Sequence, residues 1–490
     1  MEMNRYVHII HRGLINLRKT LSTIMALAVL LALLSGCGGG GGSKKVEQLE
    51  EIGKDDEVKI KIMFWDSNYF FQEYGNMFAT QFPNIEIEVV NMQSIYNGDS
   101  SEPMDKRFDK FIEDNKPDVL LLQGSDYEKY AQNGQLFPLE AVIEQDKFDL
   151  EGIHPAILKL LREQGGGKLY GLSPDFSSQA LYYNVDMFKK YGVELPRDSM
   201  SWEEVFELAK RFPTDGDKDK RIYGLTMDSY MSIDNLIQTI GSGQDLRILN
   251  SDATELNINT DSWKKIFQST IDAAKSGSIY IPTEEDRNGA FSSMEDYFKK
   301  DLFIMGRSAM SFKHSYAVQQ ITQAKDQLKD VTPVNWDIVT APVDPNNRTQ
   351  SSYFSLGNIF AVNANSASPR AAWEFVKYIN SDGFAKLKSK SSYGNLMSRT
   401  KHNPDKDGRS MEPFYKLEPK ANTNSEYMKA PSKFFGAFSG VVKQEVDAVL
   451  ADKESVEEAL KAIQQKGQEE LVKSRQEAEK DEASPSASNE

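Results

Sequence analysis

The chain has 490 residues, with 73 acidic against 58 basic side chains, a formal charge of −15 and a single cysteine. That balance argues against a nucleic-acid binder, which needs dense Lys and Arg to displace phosphate counterions, and against a protein lying flat on anionic lipid. One cysteine excludes intramolecular disulfides, so stability rests on a buried core, and the length calls for two or three domains.

In chain order, Arg5, Arg12, Arg18 and Lys19 precede an apolar run, Ile24–Leu34, which ends in Leu34-Ser35-Gly36-Cys37. A basic stretch, a short apolar core and a small-residue close form a secretion signal. The run is shorter than the roughly 20 residues that a membrane-spanning helix requires. Leu-Ser-Gly-Cys resembles a bacterial lipobox, which would make Cys37 the lipid-attachment residue and residues 1–36 a lipoprotein signal peptide. The other reading of Cys37 is a buried thiol ending an ordinary signal. Loss of residues 1–36 would remove Glu2 and four basic side chains, leaving a still more acidic chain. Residues 37–57, opening GGGGGSKK after the cysteine, read as a flexible linker.

The body begins with Val58–Trp65, alternating and then continuously apolar, which predicts a buried strand. A helix follows over Phe70–Phe82, a strand at Ile85–Val90, a helix over Met104–Asn115 and a third, near-continuously apolar strand at Pro117–Leu122. Strands alternating with helices at this spacing predict right-handed crossovers and a mostly parallel α/β sheet. Farther on, Ala180–Tyr183 reads as a strand, Asp186–Tyr191 as a short helix, and Ser201-Trp202-Glu203-Glu204 as a capping box opening a helix through Arg211. Ser262–Ser276 and Pro369–Asn380 read as amphipathic helices. The stretch Phe434–Arg475 reads as two helices, the second opened by the box at Ser455–Glu458. Residues 474–490, ending DEASPSASNE, are expected to be a disordered tail.

Several blocks together resemble the family 1 extracellular solute-binding proteins, the maltose-binding-protein type that feeds ABC importers. They are Phe64-Trp65; Phe82-Pro83-Asn84-Ile85 with Ile87 and Val89; Pro117-Asp118-Val119; and Ala131–Leu139 (AQNGQLFPL). Further along come Gly167–Leu172 (GKLYGL), Leu181–Phe188 (LYYNVDMF), Ser201–Glu204, Gly306–Met310 (GRSAM) and Ala371–Ile379 (AAWEFVKYI). The resemblance covers roughly Val58 to Leu471. It implies an α/β, two-lobed periplasmic-binding-protein-like (type II) fold with hinge crossings and a central ligand cleft. Lobe 1 would be 58–175 and 360–396, and lobe 2 would be 176–359 and 397–473. The crossings would lie near Leu172–Ser178, Leu356–Ala361 and Leu396–Thr400. It also implies a lipid-anchored monomer outside the cell that captures a carbohydrate and delivers it to ABC permease subunits with an ATPase.

In open α/β sheets ligands sit beyond the carboxyl ends of the strands. That puts Trp65, Asp66 and Ser67 after the first strand, and Ser125, Asp126 and Tyr127 after the third, on the cleft wall. Rings beside carboxylates and hydroxyls suit a sugar, whose C–H face stacks while its hydroxyls find polar partners. Trp65 could equally be core, Asp66 or Asp126 a helix N-cap, and Tyr127 a solvated first-turn residue. From lobe 2 and the hinges, the resemblance implies Phe176, Ser177, Tyr183, His314, Tyr316, Tyr393 and Phe435 as ligand residues. Helix core is the competing reading for Phe434 and Phe435, and an incidental loop position that for His314.

Asp215, Asp217 and Asp219 stand at positions 1, 3 and 5 of an EF-hand-like loop, with the Arg221 carbonyl as a possible further ligand. Some relatives hold a structural calcium there. Position 6 is Lys220 rather than Gly, and position 12 is Thr226, so a solvated acidic turn is the alternative. No other cofactor is expected. The sequence carries no Gly-x-Ser-x-Gly, His-Glu-x-x-His or Cys-x-x-Cys, and the chain reads as a binder rather than an enzyme. With 73 acidic residues, a two-carboxylate glycosidase stays open on sequence alone, as does a receptor presenting ligand to a sensor kinase.

Overall fold

The computed structural model describes residues 48–97, 104–217, 220–227, 231–282, 286, 292–391, 394–420 and 425–483. The signal region with Cys37, the acidic Asp219, the candidate Tyr393 and residues 484–490 lie outside them. Met1–Leu49 is a unit apart, and the fold below is that of Glu50–Glu490. No helix among the described residues is long and apolar enough to cross a membrane.

The first lobe is built on β1 (Val58–Phe64), β2 (Ile85–Asn91) and β3 (Val119–Leu122), which lie in the order β2-β1-β3 and run parallel. β4 is Gly171–Leu172 and β5 is Asp175–Asn184, where the chain leaves this sheet. The second lobe holds β6 (Tyr223–Thr226), β7 (Ile279–Tyr280), β8 (Ser308–His314), β9 (Trp336–Thr340), β10 (Gln350–Ser351) and β11 (Phe354–Ser355). β12 (Ile359–Val362) returns to the first sheet, between β3 and β4 and antiparallel to both. This return strand makes the first sheet mixed rather than wholly parallel, because it enters from the other lobe. β13 is Leu396–Met397, and β14 (Glu418–Pro419) pairs with β10.

In the second lobe β5 is central, antiparallel to both β8 and β9, while β8, β6 and β7 run parallel. β9 has no counterpart among the strands read from sequence. The start of β5 pairs with β13 through Phe176–Leu396 and Asp175–Met397, and with β11 through Ser178–Phe354 and Ser177–Ser355. Three chain passages therefore lie side by side where the lobes join. The third passage stays with the first lobe longer than expected. Arg399 donates to Asp149 (2.7 Å) and to the Asn380 carbonyl (2.8 Å), and His402 bonds Asp382 (2.9 Å).

The helices follow their local signals with a few corrections. The helix expected at Phe70–Phe82 is three pieces: Ser67–Phe70, a π-turn at Phe71–Gly75, and Asn76–Gln81. The wide turn lets Phe70, Tyr74 and Phe78 all bury against Phe64, Phe360 and Phe375, a tertiary demand invisible to periodicity. The box at Ser201 has both bonds, Glu204 N–H to the Ser201 hydroxyl (3.3 Å) and Ser201 N–H to the Glu204 carboxylate (2.7 Å). It opens a helix over Trp202–Ala209. The last helix runs Val456–Ala483, past 474, where a disordered tail was expected. Leu471 and Ser474 are buried, and Arg475 donates to the Ala253 carbonyl (2.7 Å). Beyond them the Glu-, Lys- and Ala-rich sequence has the intrinsic preference to continue the helix.

The second lobe's core joins β5, β6 and β8 to helices Ile233–Gly243, Asp261–Lys275 and the two C-terminal helices. Gly241 lies where a Cβ would come within 2.1 Å of the Trp263 ring. That ring is fully buried and has no room to retreat. Gly241→Ala is expected to destabilise the fold by about 1–3 kcal/mol through overpacking, read as a lowered urea midpoint. An unchanged midpoint would show that the two helices separate without cost.

Candidate functional site

Because β1, β2 and β3 run parallel, the residues after each of them emerge at one edge of the first sheet. Trp65 follows β1 and is half-buried. Asp66 caps the next helix, its carboxylate accepting from Tyr69 N–H (2.9 Å). The capping reading of Asp66 is thus the one realised, though the side chain stays partly exposed at this edge. Ser67 is exposed and Tyr69 is 51% exposed. Tyr96, beyond β2, is 45% exposed, and its ring lies 5.1 Å from that of Trp65 at a 35° tilt. Past β3 come exposed Ser125 and partly buried Asp126, both in the helix Gly124–Gln132. Burial lifts the Asp126 carboxyl above its ordinary range, with Lys129 opposing and Asp109 adding to the shift. Burial, and then the charge of Asp126, lifts the Tyr96 phenol, which places that carboxylate beside the ring.

Tyr127 does not belong to this wall. It is fully buried, with its hydroxyl accepting from Tyr170 N–H (2.9 Å), and packs on the inner face of its helix together with Tyr130 and Ala131. The 127–130–131 spacing is the helical signature of a core face.

On the second lobe, β8 ends at His314 opposite Gln179 of β5. His314 Nε2 and Gln179 Nε2 are 2.6 Å apart, and the His314 ring stacks on Tyr316 with centroids 5.2 Å apart and planes at 14°. Tyr316 is 37% exposed. Ser177 is half-buried on β5 near the joint. Gly394, from the third passage, sits against Tyr316. A Cβ there would fall 2.4 Å from the Tyr316 Cα, and its φ of +84° is one that glycine adopts freely. Ser315 donates to the Gly394 carbonyl (2.7 Å).

Three residues expected in the cleft are structural instead. Phe176 is buried, stacked on Phe354 at 4.6 Å and edge-on to Tyr415, holding the first and second passages together. Tyr183 lies near the far end of β5, buried, with its hydroxyl donating to Asp337 (3.2 Å). Phe435 packs on Tyr427 and Phe434 against the second lobe's core, which is the helix-core alternative.

At the acidic loop, the Arg221 carbonyl that a cation would need accepts from Arg307 Nε (3.2 Å), bringing positive charge to that oxygen. Among the described residues no group of three or more His, Cys, Asp or Glu is placed to hold a metal.

Between the lobes the passages are tied by polar side chains. The Ser173 hydroxyl lies 2.7 Å from the Asp175 carbonyl oxygen and 2.9 Å from that of Asn358, so its one proton is shared between the first and second passages. The Asp175 carboxylate, 5% exposed, accepts from Asn395 Nδ2 (2.9 Å) on the third. Neither residue stood out in the sequence, although Pro174 between them marks a break in regular structure. Tyr96 was missed for a simpler cause: the strand-end rule that points to Trp65 and Asp126 applies equally to β2.

A separate groove of about 460 Å³, lined by Phe82, Phe148, Tyr378, Asp149, Asp382 and Arg399, lies on the first lobe. Phe82 precedes β2, so the groove opens at the amino ends of the strands, opposite the edge that carries Trp65 and Tyr96.

The sequence pattern of the bacterial extracellular solute-binding protein family matches residues 73–409. The chain belongs to that family. Among curated solute-binding proteins it is similar to the sn-glycerol-3-phosphate-binding periplasmic protein UgpB of Brucella abortus (strain 2308), 26% identical over 235 residues, which are 47% of this chain and 51% of that one. UgpB of Agrobacterium fabrum is 23% identical over 317 residues, 61% of this chain and 66% of the other. The chain thus spans about half the length of the first of these relatives. Solved structures share the fold. A Listeria monocytogenes ABC substrate-binding protein in complex with cycloalternan aligns with TM-score 0.55 and 20% identity, over 85% of this chain and 100% of that chain. The sugar-binding protein MalE from Xanthomonas citri aligns with TM-score 0.59 and 16% identity, over 86% and 99%. The two-lobed type II architecture expected from the resemblance is therefore the one found.

Removing the Ser173 tie tests this joint. Ser173→Ala is expected to cost about 1–2 kcal/mol, the worth of one buried shared hydrogen bond and the acceptors it leaves. Denaturant midpoints of variant and parent would read the loss, and equal midpoints would mean that the passages hold without it.

Proposed function

We propose that this solute-binding protein captures a neutral mono- or oligosaccharide between its lobes and delivers it to ABC permease subunits driven by an ATPase. The observation that carries this reading is the strand-end edge of the first lobe, where Trp65, Tyr69 and Tyr96 stand beside Asp66, Ser67, Ser125 and Asp126. Ring faces take the apolar C–H surface of a sugar, and carboxylate and hydroxyl oxygens accept from its O–H groups. Ser177, His314 and Tyr316, with Gln179, supply the opposing wall from the second lobe and the joint.

Charge favours a neutral cargo over the phosphate ester for which the UgpB relatives are named. The ionisable groups placed at the wall and joint are chiefly carboxylates: Asp66, Asp126, Glu73 and Asp175. The cations beside them are already paired, Lys388 with Glu73 and Lys129 with Asp109. A phosphate dianion would meet like charge here, whereas sugar hydroxyls would meet acceptors. The protein holds its cargo without transforming it.

Calorimetry against a panel of neutral saccharides, with sn-glycerol 3-phosphate as the charged comparison, tests the reading. Trp65→Ala and Tyr96→Ala are each expected to weaken sugar binding at least tenfold, about 1.4 kcal/mol. Heat only with the phosphate ester, or undiminished affinity in both variants, would overturn it, as would a cleaved sugar recovered from the binding mixture.

The same proposal includes a lipid anchor at Cys37, since two acyl chains on one cysteine give stable tethering where one does not. Cys37→Ser is expected to move the protein from the membrane fraction into the medium. Retention at the membrane would remove the anchor from the account.

A further inference from the structure

The three passages between the lobes meet around one buried carboxyl group, that of Asp175. Its backbone pairs with Met397 on the third passage, its carbonyl oxygen takes the Ser173 hydroxyl, and its carboxylate accepts from Asn395. The groups facing it come from every element packed around the joint. Tyr69 belongs to the helix Ser67–Phe70, Glu73 and Tyr74 to the π-turn, and Lys388 to the end of the helix Asp382–Lys388. Tyr74 is buried beside the carboxyl, while Lys388 is buried and bound to Glu73. The one cation in the cluster is thus shared between two carboxyls, and solvent reaches neither Asp175 nor Tyr74 to any extent.

We propose that the hinge is proton-coupled: a proton on Asp175 holds the three passages in the arrangement described, and its loss favours a swung arrangement in which the carboxylate meets water. The inference rests on the two-lobed cleft and not on which solute fills it.

The direction follows from linkage. An acid held out of water binds its proton more tightly than a hydrated one, so acid stabilises whichever conformation buries it. Burial pushes the Asp175 carboxyl up to about 6, with Glu73 adding to the shift and Lys388, Asn395 and Tyr74 opposing it. Below that pH the carboxyl is neutral and the joint carries no uncompensated buried charge. Above it, ionisation charges a site that lacks water, and any hinge rotation that hydrates the group is favoured. An exposed solute-binding protein would in this way have its open–closed balance set by the acidity of the medium before any ligand arrives.

The test needs no ligand. In the Cys37→Ser chain, dyes on Lys110→Cys in the first lobe and Lys265→Cys in the second report the distance between the lobes by fluorescence energy transfer from pH 5 to pH 8. Transfer in the parent is expected to change with a midpoint near 6. Asp175→Asn, which keeps the side chain's shape and its acceptor for Asn395, is expected to stay at the parent's low-pH level throughout. A parent that does not titrate, or an Asp175→Asn chain that titrates like the parent, would overturn the proposal. Should Asp175→Asn not fold, Lys388→Met is expected to raise the midpoint and Glu73→Gln to lower it. A midpoint unmoved in both would count equally against Asp175 as the titrating group.

Discussion

A hinge made of three extended segments has to stay joined while the bodies on either side of it move. In this chain the joining falls to the first four residues of β5, which are hydrogen-bonded to β13 and β11, and to two short side chains. Ser173 divides its proton between two passages, and Asp175 fastens the third through Asn395. Short side chains suit the task because they hold backbone to backbone with little rotamer freedom to lose. Phe176 closes the apolar side of the same joint by stacking on Phe354. The cleft inherits its geometry from this arrangement: were the passages to separate, the Trp65 wall and the His314 wall would no longer have a common axis.

The division of labour between the lobes follows from sheet direction. Three parallel strands deliver three loops to one edge, so the first lobe presents a broad wall from residues distant in sequence, Trp65, Tyr96 and Asp126. In the second lobe the central strand β5 runs against β8, so Gln179 midway along one strand meets His314 at the end of the other. The contact there is a stacked pair, His314 on Tyr316, pressed against Gly394 of the third passage. A residue with a side chain at 394 would have to push the Tyr316 backbone away. The second wall is thus narrower and is coupled directly to the hinge.

Much of this was legible in the sequence. Alternation located β1 and β2 to within a residue, a near-continuous apolar run located β3 with its start two residues early, Pro369 gave a helix start, and Ser201 with Glu204 gave both bonds of a capping box, since each of these signals is local. What stayed hidden is set by tertiary contact. The π-turn at Phe71–Gly75 exists so that three rings can reach one aromatic core. Tyr183 and Phe176 lie on a strand buried on both faces, where alternation no longer tells a core side from a cleft side. Tyr127 was misread although its helical spacing with Tyr130 and Ala131 was available, because the residues before it looked like a loop. Ser173 and Asp175 flank a proline in an unremarkable stretch, and only their bonds to segments 185 and 220 residues away reveal their place.

Burial of charge near the cleft also constrains the cargo and the timing of its capture. Asp126 loses part of its water to the neighbouring rings, so a ligand that donates O–H restores what folding removed, whereas an anion compounds the deficit. That asymmetry acts on the first lobe alone and cannot by itself close the cleft, because a ligand shifts a conformational equilibrium only through affinity that differs between the two forms. Under the proposed function the difference would come from the second wall, whose rings and amide would add to the contacts only when the lobes approach. On the proposed reading His314 and Tyr316 would be the side chains that convert binding into closure, and the contact of Tyr316 with Gly394 would carry the same event to the passage that Asn395 fastens to Asp175.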